Sequence, residues 1–491
     1  MRTPAALVAL LLTACDGGAG RAPSVDNKFL KLYCAAGLKP VGESVAKEYE
    51  SVAGVRIEIQ YGGSGTLLGN IIAARTGDLF LAADDSYLDA AAAKGLVRER
   101  IPMARMAPVV AVRRGNPKGV RSLDDLLRSD VAVALCHPEA AAIGKMTRRI
   151  LENRNLWDGI SGRAVVFKPT VTDVANDIRL GAVDAGFLWD ATLAQYPDIE
   201  PAKDVSFPGE EMAVSIGVLS SCERPAAALR FARFLGAPDR GLAHFARAGY
   251  SVLDGDPWED SPEILLYSGA MLRPGLERAV EAFRAREGVR VNTVYNGCGL
   301  LVAQMKAGGS PDGYFACDAT FFEPVKEKFF DPRPLTENDL VIAVQDGNPK
   351  KIAGLKDLAI PGLRVGLAHP DKSALGVLSR RVLEREGLRA AVEANLSVDS
   401  PTGDFLVNQL RVRALDAAIV YRSNVLSASD GSLRPLDIVS LGAATTSAAQ
   451  PFARAKGVRH ARLLERFFDT VLSAESRAGF EAQGFTWRAQ P

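Results

Sequence analysis

The sequence predicts an α/β protein built from two tandem copies of one domain-sized unit. Three observations predict it. First, the 491-residue chain repeats itself: "LYCAAGLKPVGESVAKEYE" is answered by "LYSGAMLRPGLERAVEAFR". Leu32 pairs with Leu266, Ser64 with Cys298 and Ala83 with Cys317, at a spacing of about 234 residues. After one short gap the register continues through His137/His369, Asn176/Asn408 and Trp189/Tyr421. A solenoid unit runs roughly 20–50 residues, so this period is that of a whole domain. Second, each copy alternates short apolar β-branched runs with amphipathic helical patterns, as expected of a parallel sheet covered by helices. Third, the composition is that of a folded soluble protein, 47% hydrophobic and 24% charged. The net charge is +1 and no Lys/Arg run is long, which argues against a nucleic-acid partner.

The chain opens with Arg2, the apolar run "AALVALLL" and then Leu12-Thr13-Ala14-Cys15. The run is too short for a mature membrane span. The pattern resembles a bacterial lipoprotein signal, with residues 1–14 removed and Cys15 lipidated. Residues 15–27, rich in Gly, Ser and Pro, read as a flexible tether. Five further cysteines remain: Cys34, Cys136, Cys222, Cys298 and Cys317. An odd count in an exported chain leaves at least one thiol free or bonded to another molecule. There is no CxxC and no zinc-like spacing.

"FLKLYCAA" reads as a strand, "PVGESVAKEYESVAG" as a helix stopping at Gly54, and "VRIEIQY" as an alternating strand. "GTLLGNIIAARTG" is helical and "LFLAAD" is a strand. Next come "APVVAVRRGNP" and its mirror "NDLVIAVQDGNP", apolar strands running into Gly-Asn-Pro turns. Short helices at "GVRSLDDLL" and "AGLKDLAI" precede the strands "VAVALCHP" and "RVGLAHP", which feed helices. "GAVDAGFLWDA" and "RALDAAIVYRSN" are strands entered from helices, and each copy closes with long amphipathic helices. The acidic, Pro-containing stretch 254–262 reads as a connector, giving domains at 28–255 and 260–491.

This order of elements and turns resembles the molybdate- and tungstate-binding family of periplasmic substrate-binding proteins. The motifs are Ala35-Ala36-Gly37-Leu38, Gly62-Gly63-Ser64-Gly65, Asp78 to Asp84, Gly115-Asn116-Pro117, His137-Pro138-Glu139 to Gly144, and Asp184-Ala185-Gly186 to Trp189. The second copy repeats the set with drift. The resemblance implies two tandem type II periplasmic binding domains, each with two α/β lobes around a ligand cleft. Lobe one of the first copy is expected at about 28–107 plus 195–253, and lobe two at 108–194. For the second copy the splits are expected near 339 and 425.

The chemistry implied is anion binding by dipoles. Helix N-termini point backbone N–H groups at the ligand, glycines allow close approach, and hydroxyls add donors. Carried over by the resemblance, the ligand shell is Gly37, Ser64, Ala141, Ala142, Val174 and Trp189 in copy one. In copy two it is Met271, Cys298, Ser373, Ala374, Leu406 and Tyr421. Both copies lack the family's first serine, copy two has Cys298 for the second, and Trp189 replaces a tyrosine. The resemblance further implies an inner-membrane ABC permease and ATPase as partners, a small oxyanion or other small solute as ligand, and a periplasmic, lipid-anchored location. It implies no cofactor.

Rival readings stand beside these. One reading makes one copy a degenerate scaffold and the chain a ligand sensor without transport. Cys298 and Cys317, both on ligand-side loops, are open to three readings: two buried small side chains, a disulfide, or a thiol site for a soft metal. Glu139 and Asp371, just before helices, read as N-caps or as carboxylate ligands to a metal. His137 and His369 read as structural or as metal ligands. Asn176 and Asn408 read as starting the helix that feeds the last strand, as a cap or a ligand donor. With four histidines and no nucleophile–base pair recurring in both copies, an enzyme is not expected.

Overall fold

The structure, a computed structural model, describes residues 29–427, 435–442 and 446–490. The leader, Cys15 and the tether lie outside the described residues. Each copy folds into two α/β lobes. In lobe one of copy one, strands Phe29–Ala35, Arg56–Gly62 and Leu79–Ala82 run parallel. Strand Met212–Leu219 then inserts antiparallel between Leu79–Ala82 and Val97–Met106. The sheet is therefore mixed, which the strand–helix alternation alone does not reveal: the inserted strand returns from the other lobe. Copy two repeats the design with strands Glu263–Gly269, Arg290–Asn296, Gly313–Phe315 and Ser447–Arg454.

Lobe two of copy one is a second sheet, with Val133–Cys136 flanked by Val166–Lys168 and Ala185–Trp189, and Pro108–Arg113 beyond. Strand Ile199–Pro201 pairs with Pro108–Arg113, so this lobe runs past residue 194 and the return crossing falls between 201 and 212. In copy two Leu436–Val439 pairs with the crossing strand in the same way, moving the split beyond 425. The expected boundaries were short because these edge strands carry weak apolar alternation. The outward crossing is broken at Ala107 in copy one but is one continuous strand, Arg333–Gln345, in copy two.

The Gly-Asn-Pro motif is a structural turn. Gly115 and Asn116 have φ of 83° and 45°, Gly347 and Asn348 71° and 44°. These left-handed values suit Gly and Asn. Each Asn side chain brackets the turn, bonding both N–H and C=O of Val120 or of Ile352. The short helices that follow are 3₁₀ turns at Asp124–Leu127 and Leu355–Ala359. The closing helices, Pro225–Leu235 and Ala461–Val471, are only three turns long. Among the described residues no helix is long and apolar enough to cross a membrane.

The connector is packed rather than slack. Trp258 sits edge-on to Phe234 at 5.0 Å, and Asp256 accepts the N–H groups of Arg462 and Leu463 at the start of helix Ala461–Val471. Glu259 bonds His460 at 2.7 Å. Helix Arg273–Glu287 of copy two packs on Pro225–Leu235 of copy one. There Glu287 is gripped by Arg233 at 2.7 Å and by Arg466 at 2.7 Å. Arg233 comes from copy one and Arg466 from copy two, so the glutamate ties the copies together. Arg286 adds a forked pair with Glu99, at 2.7 and 2.8 Å.

Candidate functional site

The cleft of copy one forms where the two lobes meet. Three helices start there: Ser64–Ala74 from lobe one, and Ala142–Glu152 and Val171–Leu180 from lobe two. First-turn amides have no intrahelical acceptor, and those of Ala142, Ile143 and Val171 border the cavity. Gly37, Ser64, Ala141, Ala142 and Trp189 line it together. Ser64 is buried and its hydroxyl accepts the Ala83 N–H at 3.2 Å, leaving its proton to donate. No lining residue is charged.

Val174 is not in the cleft wall. It is fully buried beneath Gly186, where its Cγ1 would stand 2.6 Å from an added Cβ. The cleft residues from that helix are Thr170, its N-cap, and Val171; Val174 shares the Val171 face but sits one turn further from the helix start, beneath the cleft. Leu406 is likewise core, packed under Gly366, and Thr402 caps its helix. Asn176 and Asn408 therefore lie mid-helix, not at its start. Glu139 and Asp371 are not caps either: the N-caps are Ala141 and Ser373, neither with a side-chain cap bond. His137 Nδ1 and His369 Nδ1 instead accept the N–H of Glu139 and Asp371, at 3.3 and 3.1 Å, shaping both turns. Among the described residues no cluster of three or more His, Cys, Asp or Glu could hold a metal ion.

Tyr250 was missed. It lines the cavity and its hydroxyl donates to the Gly37 carbonyl at 2.9 Å, while burial pushes that hydroxyl's pKa up. The signal available was the matched pair Gly249-Tyr250 and Gly484-Phe485.

The glycine loop does a different job from the one expected. An added Cβ on Gly63 would stand 2.2 Å from the Ala140 carbonyl oxygen, and on Gly65 2.0 Å from that of Glu139. The Gly65 N–H donates to Ala140 across the cleft at 2.9 Å. These glycines let backbone of one lobe touch backbone of the other. Copy two does the same: Gly297 and Gly299 meet the carbonyls of Lys372 and Asp371, and the Gly299 N–H donates to Lys372 at 3.1 Å. Both clefts are closed. The copy-one cavity holds about 20 Å³, little more than one water-sized sphere.

In copy two the corresponding place is filled by side chains. Met271, Cys298, Cys317 and Tyr421 are all buried, Ser373 and Ala374 lie at the facing helix start, and all five cysteines described are free thiols. The Cys317 N–H donates to Cys298 Sγ at 3.0 Å, the counterpart of the Ala83–Ser64 bond. Burial works against a Cys298 thiolate, yet hydrogen bonding from Cys317 holds its pKa down. The bond to Cys298, with burial, drives Cys317 well up. Burial, then the two sulfurs, raise Tyr421.

A roomier cavity, about 190 Å³, lies between the copies beside Arg233, Trp258 and Arg466. Its Arg233 and Arg466 are already paired with Glu287 and its His460 with Glu259, and the repeat supplies no second example.

The family of bacterial extracellular solute-binding proteins matches twice, at residues 30–251 and 264–486. The chain belongs to that family, as a tandem duplication. A molybdate-binding protein, ModA, of Mycobacterium tuberculosis is 27% identical over 235 residues, 47% of this chain and 85% of the relative. A binding protein of Haemophilus influenzae is 27% identical, covering 46% of this chain and 92% of its own length. Among solved structures, the Azotobacter vinelandii periplasmic molybdate-binding protein matches 46% of this chain and 100% of its own, at 20% identity and TM-score 0.40. The sulfate-binding protein SubI of M. tuberculosis matches 45% of this chain and 86% of its own, at 20% identity and TM-score 0.40.

Proposed function

We propose that this solute-binding protein serves an ABC importer, held at the membrane by lipid on Cys15, with copy one binding a tetrahedral oxyanion of the molybdate or tungstate class. Its two copies span 28–255 and 260–491. The observation that carries this reading is the meeting of three helix N-termini and the Ser64 hydroxyl on one cavity without a charged side chain. Dipoles and neutral donors favour an anion there. Gly37, Ser64, Ala141, Ala142 and Trp189 form the shell, with Thr170, Val171 and Tyr250 added. Thr192 supports the reading: its buried hydroxyl has no partner and lies near Gly37. An oxyanion exceeds 20 Å³, so binding requires the lobes to part and reclose, a shape change that a permease can read. Molybdate-binding relatives are consistent with this ligand class.

Thermal unfolding of the purified chain with molybdate, tungstate, sulfate and phosphate tests it. At least one should raise Tm by ligand linkage. Ser64→Ala should weaken binding by about 2 kcal/mol, roughly thirtyfold. A panel that shifts nothing, or a shift indifferent to Ser64→Ala, refutes the reading.

A further inference from the structure

Copy two carries a site of different chemistry. Copy one has Ala35, Ser64 and Ala83 at its cleft; copy two has Gly269, Cys298 and Cys317 at the same repeat positions. These exchanges fit one another. A Cβ on Gly269 would stand 2.0 Å from Cys317 Sγ and 3.1 Å from Cys298 Sγ. The side-chain volume removed at Gly269 is the volume the two sulfurs occupy. An alanine there, as in copy one, would displace them.

The surroundings favour a cation. Where copy one has Thr172, copy two has Asp404 in the first turn of helix Gly403–Arg411, bonded to Asn424 at 2.7 Å. A carboxylate there disfavours an anion in this cleft. Tyr421 enters from the other lobe. Its ring is buried, its hydroxyl has no hydrogen-bond partner, and both sulfurs are among the groups acting on it. Met271 stands where copy one has Gly37.

We propose that Cys298 and Cys317 form a two-sulfur binding site for a monovalent thiophilic cation of the Cu(I) or Ag(I) class. Soft thiolates select such ions. The two S–H bonds break, two sulfur–metal bonds form, and both protons pass to solvent. Neither metal nor sulfur changes oxidation state. Two thiolates so close repel each other without a counter-charge, which the cation supplies. Both sulfurs belong to lobe one, so the open form presents them; Tyr421 covers them on closure. This inference is independent of the oxyanion reading for copy one.

The test uses the full-length chain, reduced, loaded with Ag(I) and dialysed against millimolar glutathione so that single-thiol adducts are stripped. One Ag(I) per chain should remain by mass spectrometry. Cys298→Ser and Cys317→Ala, which install the residues copy one already carries, should each abolish retention while the circular dichroism spectrum is unchanged. Cys222→Ser should leave it intact. Tyr421→Phe should weaken it about tenfold, as expected for an outer partner. No retained Ag(I), or retention that survives both cysteine substitutions, overturns the proposal. So does a chain that closes these two thiols into a disulfide and, once reduced, still retains no Ag(I).

Discussion

Glu287→Gln tests how the two copies are joined. Its carboxylate is buried and takes hydrogen bonds from Arg466 Nε at 2.7 Å, Arg466 Nη2 at 3.1 Å and Arg233 Nη1 at 2.7 Å. Side-chain exposure is 3% for Glu287, 10% for Arg233 and 15% for Arg466. The amide keeps the shape but leaves two buried guanidiniums facing each other with no anion. Breaking a buried pair by removing one charge costs about 3–5 kcal/mol. Replacing all three residues by Leu and Met of similar volume should cost far less, because no charge is stranded. Trp258, packed at this junction against Phe234, supplies the fluorescence probe in a background with Trp157, Trp189 and Trp487 replaced by Phe. In a urea titration its transition should move to lower denaturant in Glu287→Gln and stay near its original midpoint in the triple variant. Acid should act in the same direction. Burial opposes ionisation, but the two guanidiniums hold the Glu287 pKa below the usual range. The stabilisation is therefore complete above the unfolded glutamate value of about 4.3 and lost as pH falls below it. An unchanged Trp258 midpoint in Glu287→Gln, with wild-type acid sensitivity, refutes the clamp.

Three further outcomes are expected. Gly65→Ala places a Cβ 2.0 Å from the Glu139 carbonyl oxygen, so copy one should stay open and show no ligand-induced compaction by small-angle scattering. Fragments 28–255 and 260–491 should each unfold cooperatively, yet less stably than in the full chain, because the cut separates Arg233 from Glu287; equal stability would show that the junction contributes nothing. Cys15→Ser should release the chain from membranes without changing its Tm, checked by fractionation and thermal unfolding; retention after high-salt washing refutes lipidation.

Much of the candidate site was legible because matched loops recur at fixed order. Ser64, Ala141 and Trp189 converge as the motifs implied. Val174 and Leu406 were misplaced because a motif locates a helix but not which of its turns reaches the cleft. Tyr250 was missed because it reaches the cavity from the far end of the copy, where sequence distance hides proximity. Glu139 and Asp371 looked like caps because acidic residues before helices usually are. The backbone takes three more residues to enter the helix, and the adjacent histidines hold the turn instead.

By itself the sequence determined the duplication, the α/β alternation and the location of the cleft loops. These depend on local periodicity and on residues whose backbone demands are short-range. Only the tertiary structure decided what the cleft glycines are for, since their close neighbours are carbonyls some 75 residues away in the opposite lobe. It also decided that Gly269 makes room for two sulfurs, and that one glutamate joins an arginine from each copy. Packing volume and buried charge are properties of neighbours in space, and spacing along the chain does not record them.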